Sequence, residues 1–173
     1  PGDFATINDA AISLNANGIS GPVLFNVASN HTETSPAGTS AVITGEIIFG
    51  NITGTSATNT IIFQKNGAGA NPLVTAGVNH FAGGIMDAVI KIIGTDYLTF
   101  NGIDVSENPS NTTSAIATNN MTEFGYGFFY ANPAASANGA QNNTIQNCAI
   151  TLNTGGTNYQ NTFGIFSTTV SSA

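Results

Sequence analysis

Two stretches of the chain repeat earlier stretches at fixed distances, and this constrains the fold more than any other feature. Residues 99–106 align without a gap on residues 144–151, an offset of 45. A second pair, residues 124–126 and 163–165, repeats at an offset of 39. Because the two repeats follow one another in the same order, they are typical of successive turns of a solenoid. The alternative is a chance match, since Asn, Thr and Gly are abundant in the chain.

The longer repeat contains a predicted bend. Phe100 and Ile103 lie three residues apart, so regular strand alternation would place them on opposite faces. Both can point inward only if the chain turns between them, and the turning residue is Gly102 in one copy and Asn147 in the other. Gly and Asn most readily adopt the left-handed backbone conformation. The repeat therefore predicts a left-handed corner between two short strands, as in a parallel β-helix.

One segment, residues 3–18, has the apolar spacing of a helix, with one face formed by Phe4, Ile7, Ala11 and Leu14. Asp3 or Thr6 can cap its start, and Thr6 followed by Asp9 resembles a capping box. Asn17 before Gly18 supplies a left-handed stop. A solenoid leaves its end strands open, and open edges are normally covered. We therefore expect this amphipathic helix to cap the first turn.

From residue 22 to residue 173 the pattern changes to short apolar runs bounded by Gly, Asn, Ser and Thr. The runs lie at residues 23–27, 41–43, 47–49, 60–63, 73–75, 89–93, 97–100, 103–105, 126–130, 144–145, 148–152 and 163–166. The predicted fold class is all-β, a parallel β-helix in a single domain over residues 1–173. Because residues 167–173 show no comparable cap, we expect the natural protein to continue beyond Ala173.

The charge of the chain excludes two classes of partner. Charged residues make up only 6% of the chain, with nine carboxylates against two lysines and a net charge of −7. Nucleic acids and anionic membranes both require clustered Lys and Arg, so neither is a predicted partner. No run of about twenty apolar residues is present, so we predict that the chain does not span a membrane.

Several segments resemble a known class of protein. Residues 2–27 contain Gly-Asp-Phe-Ala-Thr-Ile, Ala-Ala-Ile-Ser-Leu-Asn, Gly-Ile-Ser-Gly-Pro-Val and Phe-Asn-Val, and residues 93–102 and 142–147 fit the same pattern. These segments resemble large secreted surface proteins with right-handed parallel β-helices. Such proteins are similar in fold to pectate lyases and are typical of bacteria that use type IX secretion. The resemblance implies a right-handed coil, export to the cell surface or medium, and recognition by the secretion machinery through a C-terminal sorting domain.

The resemblance also supplies catalytic patterns for comparison. Pectate lyases use Ca²⁺ held by clustered Asp and a basic residue, commonly Arg, whereas this chain has no Arg and isolated lysines at Lys65 and Lys91. Inverting hydrolases need two carboxyl groups about 6.5–9.5 Å apart, and the motifs of polygalacturonases are missing. His31 and His80 precede no Gly and have no neighbours at metal-ligand spacing. We therefore predict no catalytic residues, and an outward-facing strand position for Lys91.

Asp104 and Glu107 form the closest acidic grouping in the sequence. Together with the side-chain oxygens of Asn101 or Asn108, they could supply ligands to Ca²⁺, which is the one candidate cofactor. The spacing matches no defined calcium loop, and the alternative is a solvated face.

Residues 126–130 contain the densest aromatic cluster, in which alternation places Tyr126, Phe128 and Tyr130 on one face. If that face points outward, Tyr126 and Tyr130 could stack on sugar rings, so a polysaccharide or cell-surface glycan is a candidate partner. The alternative is core packing with the polar tips of the tyrosines at the surface.

These patterns lead to one main hypothesis and two alternatives for function. The main hypothesis is a non-catalytic, secreted or cell-surface module, namely a β-helix stalk or adhesin-like segment of a larger exported protein. The first alternative is the N-terminal part of a polysaccharide lyase or hydrolase with its catalytic residues elsewhere. The second is an ice-binding solenoid, which ranks last because the threonine pairs at residues 32–34 and 53–55 share no common period.

Overall fold

The computed structural model describes residues 3–37, 45–78, 87–113, 120–131, 138–153 and 162–171. In chain order its elements are α1 (Ile7–Asn17), β1 (Val23–Ala28), β2 (Thr32–Thr34), β3 (Ile47–Gly50), β4 (Ile61–Asn66), β5 (Leu73–Thr75), β6 (Ala88–Ile93), β7 (Leu98–Asn101), β8 (Asp104–Ser106), β9 (Phe124–Tyr130), β10 (Thr144–Gln146), β11 (Ile150–Thr151) and β12 (Phe163–Ser171). The predicted run at residues 41–43 and the residue His80 lie outside the described ranges.

The strands form three four-stranded sheets, and all the strand pairs within them are parallel. The first sheet has the order β1-β4-β7-β10, the second β2-β5-β8-β11 and the third β3-β6-β9-β12. Each group of three consecutive strands thus contributes one strand to each sheet, and we call such a group a rung. The predicted all-β, parallel fold with one N-terminal helix is confirmed.

The internal repeats correspond to strands stacked on one another. Thr144 pairs with Thr99 and Ile150 with Val105, which is the offset of 45 found in the sequence. Phe163 pairs with Phe124, which is the offset of 39. The offset is not constant along the chain, since paired residues are 38 apart between β1 and β4 and 36 apart at the start of β6 and β9. The strands therefore keep their register while the connections between them vary in length.

The corner between the first and second sheets has the predicted backbone conformation. Gly102 has φ 70° and Asn147 has φ 57°, and Asn30 occupies the corresponding corner of the first rung with φ 63°. A left-handed residue at this point lets Phe100 and Ile103 both lie in the core, where each is fully buried. The prediction of a left-handed corner is confirmed.

The core contains a ladder of phenylalanine rings contributed by the first sheet. Phe25, Phe63 and Phe100 pair in register, with ring centroids 4.4 Å and then 5.4 Å apart in stacked arrangements. Phe49 of the third sheet meets both Phe63 and Phe100 edge-on, with centroids 5.4 Å away in each case. Offset stacking and edge-to-face contact are the geometries that aromatic rings favour, so this ladder joins successive rungs.

Helix α1 is capped by two of the residues that the sequence offered as signals, Thr6 and Gly18. Thr6 is the N-cap, and its side chain accepts a hydrogen bond from the Asp9 N–H at 3.0 Å. Gly18 ends the helix with φ 64°. Phe4 lies before the N-cap and not on the helix, because Thr6 is extended; of the two candidate caps, Thr6 and not Asp3 starts the helix. The buried face consists of Ile7, Ala10, Ala11 and Leu14.

The helix closes the first rung through polar contacts as well as apolar ones. Asn15 donates to the Ile48 carbonyl at 2.7 Å and accepts from the Gly50 N–H at 2.9 Å, so one side chain occupies the open edge of β3. Glu33 points inward from β2 and accepts from the Ile7 and Asn8 N–H groups at 2.7 and 3.2 Å. A carboxylate there satisfies unpaired amides of the first turn and complements the helix dipole.

Candidate functional site

Of the two predicted sugar-binding tyrosines, Tyr126 lies inside the core. Its side chain has 0% exposure, its ring lies 5.4 Å from that of Phe100, and its hydroxyl donates to the Ile103 carbonyl at 2.7 Å. As strand alternation predicts, Tyr126 and Phe128 lie on one face of β9, and that face packs on the core. Tyr126 cannot present its ring to a sugar, which corrects the prediction for this residue.

The buried position of Tyr126 changes its acid–base behaviour. Burial raises the pKa of the phenol well above its ordinary value, and the neighbouring Cys148 and Asp104 raise it further. The unfolded chain therefore releases this proton first as the pH rises. The stability that the neutral phenol contributes is present below about pH 10 and is lost above it.

We expect the free energy of unfolding to fall by about 1.4 kcal/mol per pH unit above about pH 10 because of this one group. Tyr126→Phe should flatten that alkaline slope, at a cost of about 1 kcal/mol at neutral pH for the lost hydrogen bond. Urea denaturation across the alkaline range measures both effects, with Tyr130→Phe as the matched control. An unchanged slope in Tyr126→Phe would contradict this assignment.

Tyr130 lies at the end of β9 and is half-buried. It lines a groove of about 450 Å³ formed by Phe128, Tyr130, Gly139, Ala140, Gln141, Ser167 and Thr168. An added Cβ at Gly139 would lie 3.5 Å from the Tyr130 ring, so this glycine packs on the ring. An aromatic ring beside amide and hydroxyl groups can contact both the apolar face and the hydroxyls of a sugar. The sugar-stacking prediction therefore stays open for Tyr130.

Asp104 is half-buried and joins three rungs. One of its carboxylate oxygens accepts from the Asn71 side chain at 2.8 Å and from the Ala149 N–H at 2.8 Å. Asn71 also donates to the Asn147 carbonyl at 3.0 Å, next to the left-handed corner. These hydrogen bonds join neighbouring rungs at a corner, and they engage one of the two Asp104 oxygens that could bind Ca²⁺.

Glu107 follows β8 and binds groups of its own connection. It accepts from the Thr122 N–H at 2.7 Å, the Asn108 N–H at 2.8 Å and the Asn111 side chain at 2.9 Å. The Thr122 hydroxyl also donates to it, at 3.1 Å, so donors of the chain itself satisfy this carboxylate as a cation would. In the part of the chain that the structure describes, no group of three or more His, Cys, Asp or Glu residues is arranged to hold a metal ion. The Ca²⁺ site at Asp104 and Glu107 stays a prediction.

Lys91 and Glu46 form a buried ion pair that the sequence did not indicate. The Lys91 ammonium lies 2.9 Å from one Glu46 oxygen and 3.1 Å from the other, and 5.0 Å from the centroid of the Phe129 ring. Both side chains are almost fully buried, at 6% and 1% exposure. The prediction of an outward-facing Lys91 is corrected, because this part of the third sheet is covered and the ammonium has an anionic partner.

His31 and Glu33 form a second side-chain contact, at the helix end of the molecule. The His31 Nε2 lies 2.9 Å from the Glu33 carboxylate that binds the first turn of α1. His31 also borders a cavity of about 420 Å³ between α1 and β1. No sequence signal indicated that Glu33 faces the interior, because a strand with the pattern Thr-Glu-Thr is normally assigned a polar surface.

Among the described residues, no helix is long and apolar enough to cross a membrane. Comparison of the chain with known protein families, with curated proteins and with solved structures gave no significant match, so its function has to be inferred from its own chemistry.

Proposed function

We propose that this chain is a segment of a right-handed parallel β-helix that serves as a non-catalytic, extracellular surface module, either a stalk or an adhesin-like part of a larger exported protein. The right-handed sense of the coil is supported by the rule that a strand and its parallel neighbour in the same sheet are joined by a right-handed crossover. Here β1 reaches β4 through β2 and β3, which is a connection of that kind.

The observation that carries the proposal is how the acidic side chains are used. Asp104 joins three rungs, and Glu107 binds the N–H groups of its own connection. Glu33 holds the helix, and Glu46 holds Lys91. A general acid or base must reach a substrate proton with an available atom. These four of the nine carboxylates have partners within the fold, which supports a structural role for them, as expected for a module that presents a surface.

The outer surface supports an extracellular role through its composition. Asn, Thr and Ser side chains of neighbouring rungs can bond to one another without the repulsion that stacked like charges would cause. Ser106, for example, donates to Thr75 at 3.3 Å across two rungs. Tyr130 and its groove are one proposed point of glycan contact for an adhesin-like role.

The test is an assay of the purified chain against polygalacturonate, pectin and neutral glucans, with and without Ca²⁺. We expect no cleavage products under any condition. Asp104→Asn and Glu107→Gln should change stability and not activity, which denaturation curves of the same samples will show. Cleavage that either variant abolishes, while the variant remains folded, would overturn the non-catalytic proposal in favour of a polysaccharide lyase or hydrolase.

A further inference from the structure

The outer face of the first sheet has a continuous column of side-chain amides. Asn26 pairs with Gln64, Gln64 with Asn101, and Asn101 with Gln146. We call these four residues the amide ladder. Their chain neighbours Phe25, Phe63, Phe100 and Ile145 belong to or pack against the core, so alternation points the ladder outward. Asn26 and Gln146 are exposed, and Gln64 and Asn101 are half-buried.

Two hydrogen bonds involve these amides, one within the ladder and one to the corner residue Asn147, and the amides keep capacity for a ligand. Gln64 donates to the Asn26 oxygen at 3.0 Å, and Asn101 accepts from the Asn147 side chain at 2.7 Å. A primary amide has two N–H groups and two acceptor lone pairs, so one such bond uses only part of this capacity. These bonds hold the Asn26, Gln64 and Asn101 side chains in place, which lowers the entropy lost on binding.

The chemistry around the ladder narrows the ligand class. A second outward column runs beside the ladder and is formed by Leu24, Ile62, Thr99 and Thr144. Its first two residues are apolar, and Leu24 is 52% exposed. Lys65 is the only charged residue in the four strands of this sheet. An uncharged face with amides beside aliphatic groups matches a sugar, which has hydroxyls at its edge and C–H groups on its ring. It offers no array of cations for uronate or sulfate groups.

The spacing points to a polymer. Neighbouring strands lie about 4.7–4.9 Å apart, so the four amides form a row of roughly 14 Å across the strands. Consecutive rings of an extended β-linked glycan repeat at nearly the same distance. We propose that the amide ladder binds an extended, neutral β-linked glycan lying along the row, with one amide facing each sugar. This inference rests on the proposed role as a surface module and names its ligand class.

The test is binding of the full chain to cellohexaose, chitohexaose and soluble mixed-linkage β-glucan, measured by calorimetry and affinity electrophoresis, with polygalacturonate as the acidic comparison. We expect binding to at least one neutral probe, weaker binding to polygalacturonate, and little change with salt because the ligand is uncharged. Gln64→Ala with Asn101→Ala should weaken binding about tenfold, since two hydrogen bonds are lost.

The matched control is Thr75→Ala with Ser106→Ala, which removes a stacked polar pair from the same two rungs on the second sheet. It should leave the affinity within about twofold.

The single variant Gln64→Ala provides a milder change if the double variant fails to fold, and should weaken binding about threefold. Equal affinity in wild type and ladder variants, or loss of binding only in Tyr130→Ala, would overturn the ladder as the site. Absence of binding to every neutral probe would overturn it too, whereas the non-catalytic proposal is decided by the cleavage assay alone.

Discussion

Replacing Lys91 by methionine is expected to lower the free energy of unfolding by about 3–5 kcal/mol. The variant keeps an apolar stem of similar length and removes the ammonium, which lies 2.9 Å from the Glu46 carboxylate. Because the Glu46 side chain is 1% exposed, water cannot replace the lost partner. A buried carboxylate without its cation is costly, and the contact of the ammonium with the Phe129 ring is lost as well. Urea denaturation at neutral pH measures the change.

Lys65→Met is the matched control, since it removes the other lysine, which is only half-buried at the end of β4. It should cost less than about 1 kcal/mol. Adding Glu46→Gln to Lys91→Met should recover part of the loss, because the uncompensated charge is then removed. A loss below about 1 kcal/mol in Lys91→Met would show that the pair is open to water.

The second large effect concerns the phenylalanine ladder. Phe63→Ala should cost about 3–5 kcal/mol, because the ring is 1% exposed and its removal leaves a cavity between Phe25, Phe100 and Phe49. The phenylalanine ladder connects successive rungs, so the cavity weakens the packing between rungs as well as the packing of one strand. Thermal and urea denaturation should show the loss without a change of secondary structure in the remaining folded protein.

Phe25→Ala is the control within the same ladder. Phe25 is half-buried at the end of the stack and has a ring neighbour on each side, Phe4 at 5.8 Å and Phe63 at 4.4 Å. Its removal should cost less than that of Phe63, because solvent and the α1 end of the molecule can relax into the space. An equal or larger loss in Phe25→Ala would contradict the view that the central rungs determine stability.

The rung structure could be predicted from the sequence because the same local events recur. The offsets of 45 and 39 appear as strand pairs, and Gly102 and Asn147 take the left-handed corner for which only a few residue types are suited. The helix could also be predicted from the sequence, since Thr6 and Gly18 are specific start and stop signals. These features depend on residues that are near one another in sequence or at a fixed repeat distance.

The candidate site was harder to predict from the sequence than the rungs were, because the burial of an outward side chain depends on what covers it. Alternation gives the parity of Lys91 and Tyr126 on their strands but not which face meets water. Lys91 is buried because its sheet face is covered, and its partner Glu46 is 45 residues away in the sequence. Tyr126 packs against the Phe100 ring in the core. Glu33 faces inward, where two N–H groups of the first turn of α1 donate to it. Such contacts between distant segments leave no local signature.

The unequal offsets between rungs have a consequence for how this chain can change. Paired residues are 38 apart between β1 and β4, 36 apart at the start of β6 and β9, and 45 apart between β7 and β10, yet the columns of stacked side chains stay aligned. Residues added to or removed from the connections therefore need not shift any column. We therefore expect a foreign peptide inserted at an exposed connection to leave the stacked columns aligned.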